Sequence, residues 1–229
     1  TFKEKMQEAK ESGLTALAIT EHFNATNIIE LYETLKEEFP YEKDYYEIER
    51  MKVFCGLEVD VKENGHFLVI GSRDDILTIA RLLLPFHDKD AYIPVKDLLT
   101  LLADFNVIKI GAHPLRESTP WHHHEPAVLQ QFDAYDLNGK DLFTFGRDIE
   151  EKVRSFAAQY EIPVVGGSDT HQHFQYGSIV NVFPECDSID ELREAIQQRN
   201  YNTEVSPCLE VKVKAATHVK KMIKGKTLV

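Results

Sequence analysis

The sequence predicts an α/β fold in which βα units are wound around a mostly parallel sheet or barrel. Short β-type runs alternate with helix-favouring stretches of about 10 to 15 residues. Side chains able to bind a ligand recur at the ends of those runs, where the connecting loops of parallel βα architectures meet. The 229 residues, 43% hydrophobic and 28% charged, suit one soluble domain with a large core.

Residues 2–12, FKEKMQEAKES, are charged and helix-favouring, and Gly13 supplies a stop before the apolar run LTALAIT. A helix near 26–38 leads to a strand over 53–61, and Asn64-Gly65 then turns the chain into HFLVIG as a hairpin. Helices near 74–83 and 94–104 precede the strand VIKIGAH. A Pro/His-rich loop, the segment DAYDLNG, a helix near 148–160, the strands IPVVGG and SIVNVF, and a helix over 188–198 complete the alternation. Residues 1–200 are thus expected to form the domain. Residues 201–229, irregular and rich in lysine (Lys212, Lys214, Lys220, Lys221, Lys224, Lys226), read as a tail or packing arm.

The formal charge of -12 argues against a general binder of phosphate backbones, whose affinity comes from surface Lys and Arg displacing counterions. A small anion remains compatible, provided bound cations reverse the charge locally. Cys55, Cys186 and Cys208 form no CxxC pair and leave an odd thiol in any disulfide scheme, which predicts a reducing, cytoplasmic setting. No apolar run approaches the roughly 18 residues of a membrane span.

The strand ends carry the chemistry. LTALAIT ends in Glu21-His22, VFCGLEV carries Glu58, VIKIGA ends in His113-Pro114, and IPVVGG ends in Ser168-Asp169-Thr170-His171. His66 opens HFLVIG, so its alignment with Glu58 depends on hairpin register. Imidazoles mixed with carboxylates suit Zn, Mn or Fe rather than a thiolate or calcium site. Asp169 and His171, spaced i and i+2, would point to one side of an extended chain, and Gly166-Gly167 before them permits close backbone approach. In WHHHEP, residues 121–126, adjacent histidines cannot all face one pocket. That stretch reads as a solvated rim loop, with Trp121 packed onto the barrel.

These motifs resemble the PHP family, named for polymerase and histidinol phosphatase. The matching pieces are GLTALAITEHF, CGLEV, GHFLVIG, IGAHPLR and GGSDTH, in the family's order across residues 13–171. DAYDLNGKD resembles a segment with an N-G turn, while YGSIVNVF and SIDELREAIQQRN resemble the family's C-terminal continuation. The resemblance implies a distorted seven-stranded β/α barrel around two or three divalent ions, Mn, Zn or Fe. It implies His22, Glu58, His66, His113, Asp169 and His171 as metal ligands, with His87 as the alternative to His66. Glu58 would bridge the ions, and Glu58, Asp169 and His171 would be the catalytic residues. Arg116 resembles the clamp on substrate phosphate. The family opens with an H-x-H strand before the first helix, so a first strand is expected upstream of Thr1, within about 15 to 20 residues.

The activity implied is that of a metal-dependent phosphoesterase, hydrolysing a small phosphomonoester or a nucleotide through a metal-bound hydroxide. The alternatives are histidinol-phosphate phosphatase, with the same fold and chemistry, and a non-catalytic metal-binding PHP module. No extended nucleic-acid surface and no membrane partner are expected.

Overall fold

Helix α1 (Phe2–Glu11) buries Met6 and Ala9 and stops at Gly13, whose φ of +90° is the left-handed conformation that glycine adopts without strain. The computed structural model describes residues 2–226, without the side chains of Lys224 and Lys226. Strand β1 (Ala16–Ala18) follows, then α2 (Ile28–Glu38), whose N-cap Asn27 accepts from the Glu30 amide at 3.2 Å.

The spine of the sheet is β4 (Met51–Asp60), a run buried at eight of its ten positions. Along one edge β1 runs parallel to it, with Leu17 opposite Val53. The chain beyond β1 stays alongside: the Ile19 amide donates to Phe54, the Glu58 amide donates to Glu21, and His22 bridges to Glu58. Along the other edge β4 pairs antiparallel with β3 (Tyr45–Ile48) and then with β5 (His66–Gly71), while β2 (Tyr41–Glu42) extends the sheet beyond β3. Gly56 lets β4 pass through this crowded point, since a Cβ there would lie 2.6 Å from the Val69 carbonyl oxygen and 2.7 Å from that of Ile19.

Helices α3 (Arg73–Leu83) and α4 (Val95–Leu102) lead to β6 (Val107–Gly111), antiparallel to β5. Short α5 (Pro126–Leu129) precedes β7 (Ala134–Asn138). Helices α6 (Gly139–Phe145) and α7 (Asp148–Ala158) lead on to β8 (Val164–Gly167), and β6, β7 and β8 run parallel. The α/β alternation is as expected, but the sheet is mixed rather than mostly parallel. The tight turn at Asn64-Gly65 leaves β5 no course but an antiparallel return. Among the described residues no ladder joins the two ends of this sheet.

The segment expected as an irregular tail or packing arm is regular rather than irregular as far as residue 226. After α8 (Ile189–Gln197), β10 (Asn202–Val205) pairs antiparallel with β9 (Ile179–Val182), and α9 (Leu209–Lys226) packs on α6 and on the 3-10 turn His173–Gln175. Leu209, Val213 and Ala216 share a helical face at i, i+4 and i+7; the lysines between them hide that period in the sequence. No helix among the described residues is long and apolar enough to cross a membrane.

Candidate metal centre

The hairpin register builds the site. Asp60 stands opposite His66 across the β4–β5 ladder, and Glu58, two residues before Asp60, shares its face of the sheet. The His66 ring lies between the two carboxylates, with Nδ1 at 2.6 Å from Glu58 Oε1 and Nε2 at 3.0 Å from Asp60 Oδ1. From the opposite edge of β4, His22 places Nε2 at 3.5 Å from Glu58 Oε2 and Nδ1 at 3.4 Å from Asp60 Oδ2. The β5–β6 pairing, prolonged by the Ala112 amide donating to His66, delivers His113 to the same place. Its Nε2 lies 3.2 Å from His66 Nδ1 and 4.0 Å from Glu58 Oε1, and its Nδ1 lies 3.1 Å from Thr119 Oγ1.

Burial disfavours protonation of His66, yet its hydrogen bonds to Asp60 and Glu58 prevail and push its pKa up to about 9. His22 is raised as well, chiefly through its contact with Asp60. Burial of Asp60 opposes ionisation, but the two histidines hold its carboxyl well below the usual range. His113 goes the other way. Burial, Arg116 and His66 push it down to about 3, so it is neutral and presents a lone pair at ordinary pH.

A second polar group adjoins the first through His113. Arg116 donates through Nε to Asp141 Oδ1 at 2.9 Å and through Nη1 to Asp169 Oδ2 at 3.0 Å, leaving Nη2 buried without a partner. Asp169 lies beyond the end of β8 with φ +49°, so the chain turns here instead of continuing extended. The two side chains still meet, His171 Nδ1 lying 3.3 Å from Asp169 Oδ1, but the turn leaves His171 45% exposed. Burial raises the Asp169 carboxyl, and Arg116, His171 and His113 more than reverse that. Beneath them Asp136 is wholly buried; it accepts from the His113 amide and, at 3.3 Å, from Asn138 Nδ2, and burial pushes its pKa up to about 7. Gly167 is glycine because of Asp136, whose Oδ2 would stand 2.6 Å from a Cβ there.

The first group fits a cation. Two donors about 2.1 Å from a common ion lie no more than about 4.2 Å apart; the Glu58 carboxylate meets that limit with His22 through Oε2 and with His66 and His113 through Oε1, and His113 meets it with His66. Among the described residues, the one group of at least three His, Cys, Asp or Glu side chains whose ligand atoms all lie within 4.8 Å of one another is His22, Glu58 and His66.

The remaining expectations divide. His66 reaches the cluster, whereas His87 is half exposed, packs its ring on Phe23 and faces Asp88. Trp121 is fully buried against Phe67 and Phe132 and donates Nε1 to the His66 carbonyl, so it packs as expected. His123 and His124 strap that loop to the carbonyls of Glu63 and Asn64. Asn138-Gly139 is a helix start rather than a turn, the Asn138 side chain capping α6 through the Lys140 amide at 2.9 Å. Asp60, Asp136, Asp141 and Thr119 escaped the sequence reading. Only Asp60 carried a usable signal, its two-residue offset from Glu58 in the same strand.

The PHP domain family matches residues 1–136, and the PHP-associated region matches residues 150–201. No curated protein matches the chain in a sequence search. Among solved structures, PsfC from Pseudomonas syringae PB-5123 is 17% identical with a TM-score of 0.76, over 96% of this chain and 89% of that one. The lesion-specific endonuclease Q from Pyrococcus furiosus is 15% identical with a TM-score of 0.65, over 90% of this chain; the match spans 52% of the endonuclease. A candidate metal-dependent phosphoesterase from Bifidobacterium adolescentis is 16% identical with a TM-score of 0.50, over 87% of this chain and 91% of that one. At these identities the likeness is one of fold.

Proposed function

Because the chain belongs to the PHP domain family, we propose that it is a metal-dependent phosphoesterase acting on a small phosphomonoester or a nucleotide. The observation that carries this reading is the convergence of three imidazoles on the Glu58 carboxylate. In this reading His22, Glu58, His66 and His113 are ligands, and Asp169 and His171 complete a centre for two or three ions of Mn, Zn or Fe. Divalent cations held there would supply Lewis acidity, activating water for attack and offsetting charge on the phosphoryl oxygens.

The chain's own residues have separable tasks. Glu58 is suited to bridging because Oε1 faces His66 and His113 while Oε2 faces His22. Arg116 is the proposed phosphate clamp. Asp141 and Asp169 hold two of its nitrogens and so fix the plane of the guanidinium, leaving Nη2 as a donor for a phosphoryl oxygen. A small substrate is favoured over a polymer, since a chain of charge -12 repels a long polyanion everywhere outside such a centre.

The test is elemental analysis of protein purified without chelator, followed by hydrolysis assays with Mn. The substrate panel comprises nucleotides, sugar phosphates, histidinol phosphate and a DNA duplex with an abasic lesion. Two or three ions per chain and turnover on a monoester, both lost in Glu58→Gln, are expected. Metal without turnover on any substrate would favour a non-catalytic module. Cleavage of the duplex alone would replace the small substrate with nucleic acid, and absence of metal would end the reading.

A further inference from the structure

Glu58, His22, Asp60 and His66 form a closed circuit in which each histidine has one ring nitrogen on Glu58 and the other on Asp60. The two carboxylates are not equivalent. Glu58 faces the inner nitrogens, His22 Nε2 and His66 Nδ1, and His113 Nε2 points to the same place. Asp60 faces the outer nitrogens and is absent from the one tight group of ligand atoms among the described residues.

We infer that Asp60 is a positioning residue, accepting the outer N–H of both His22 and His66 and thereby fixing which nitrogen of each presents a lone pair beside Glu58. This rests on the metal-centre reading and adds to it a carboxylate that is not itself a ligand. A neutral imidazole has one N–H and one lone pair, so a histidine that ligates through one nitrogen must donate through the other. For His66 the donor is Nε2, 3.0 Å from Asp60 Oδ1; for His22 it is Nδ1, a buried nitrogen without a hydrogen-bond partner whose facing carboxylate is Asp60, with Oδ2 at 3.4 Å. An ionised carboxylate accepts only, and its two oxygens can serve both rings at once. The third imidazole obeys the same rule with a different partner, since His113 Nδ1 meets the Thr119 hydroxyl. The inner atoms are therefore Nε2, Nδ1 and Nε2, a mixed set that strand register imposes. Asp60 is suited to the task because it closes β4 directly opposite His66, where the ladder and not a loop fixes its position.

The experiment is Zn titration of chelator-stripped protein against a competing chelator, with saturating stoichiometry measured separately and 15N NMR of the imidazoles in the Zn-loaded form. The variants are Asp60→Ala, Asp60→Asn and, as reference, Glu58→Gln. Asp60→Ala should weaken Zn affinity by about 10- to 100-fold at unchanged stoichiometry, and the His22 and His66 spectra should show mixed tautomers. Asp60→Asn should fall between it and the parent, because one amide oxygen can accept from one ring while the NH2 opposes the other. Asn is nearly isosteric, so it keeps the test valid if the alanine variant fails to fold by circular dichroism. Affinity within about threefold of the parent in both variants would overturn the inference, as would loss of a whole equivalent at saturation, which would make Asp60 a ligand. If the parent binds no Zn, the metal-centre reading fails and takes the inference with it. If the parent binds Zn and Glu58→Gln does not, an unaffected Asp60 pair sinks this inference alone.

Discussion

Glu58, Asp60, His22 and His66 are held by the hydrogen-bonded ladders of β4, whereas Asp169 and His171 sit on a turn beyond β8, their backbone braced by the Gln175 side chain and their own side chains held by Arg116 and by each other. In the ladder group the backbone fixes each side chain, and imidazoles and carboxylates face one another in a circuit that leaves His22 Nδ1 without an aligned partner. In the turn group a charge fixes the side chains. The Asp169 carboxylate is neutralised by a guanidinium that also holds Asp141, and His171 is half exposed. Ladder-borne groups are thus placed by folding itself. Turn-borne groups depend on an ion pair that a ligand of either sign can renegotiate.

Removing the charge that organises the turn group breaks the comparison most severely. Arg116→Ala leaves Asp169 and Asp141 as neighbouring carboxylates without their cation, and Asp136 lies close beneath. Breaking such a pair from one side costs about 3 to 5 kcal/mol, which corresponds to a fall in Tm of at least about 6 °C for a chain of this size. Thermal melting of the metal-free protein measures it. A fall of under about 2 °C would mean that the turn group does not depend on Arg116 and that the contrast is false.

The ladder group should reveal itself through pH. The His66 pKa is raised in the folded chain to about 9, so its contribution is fully present below the unfolded value near 6.5 and is lost as pH rises through about 9. Burial of Asp136 disfavours folding as pH rises towards about 7, a loss complete before His66 titrates out. Urea unfolding of the metal-free protein should therefore show stability declining between pH 6.5 and 9, by up to about 3.4 kcal/mol from His66, with a further share from His22, which is raised as well. His66→Gln should flatten that decline. A parent profile already flat across the window would show that the circuit does not hold His66 protonated.

How much of this was legible follows from the same contrast. His22, Glu58, His66 and His113 could be read from the sequence because each terminates or faces a β-type run, and alternation along a strand fixes its face. Asp60 was missed, although the same rule reaches it, one alternation beyond Glu58. Asp169 and His171 were recognisable as a pair, but the extended geometry assumed for them fails at φ +49°, where the turn begins. Asp136 and Asp141 were illegible, because a carboxylate inside an apolar strand or at a helix start looks like any surface acid. Only the Cβ-free space at Gly167 and the Arg116 fork give them meaning. Strands β2 and β3 were missed because Lys43 and Asp44 between them resemble a loop. Helix α9 was missed because its lysines drown a three-residue apolar face.

The smallest expected effect is the sharpest discriminator between the two groups. The His171 ring makes its polar contacts with Asp169, through the backbone oxygen at 3.0 Å and the carboxylate at 3.3 Å, and much of it meets solvent, while the backbone amide, which a substitution leaves in place, donates to Gln175 Oε1 at 2.9 Å. Nothing in the core leans on it, so His171→Ala should change stability by no more than about 0.5 kcal/mol. If the turn group completes the metal centre, the same variant should nonetheless lower the number of ions retained after dialysis, without affecting those held by Glu58 and His66. A stability loss above about 1 kcal/mol would make His171 a structural member of the fold. Full retention of metal would leave the centre to the ladder group alone, because a side chain on a turn can be near a site without belonging to it.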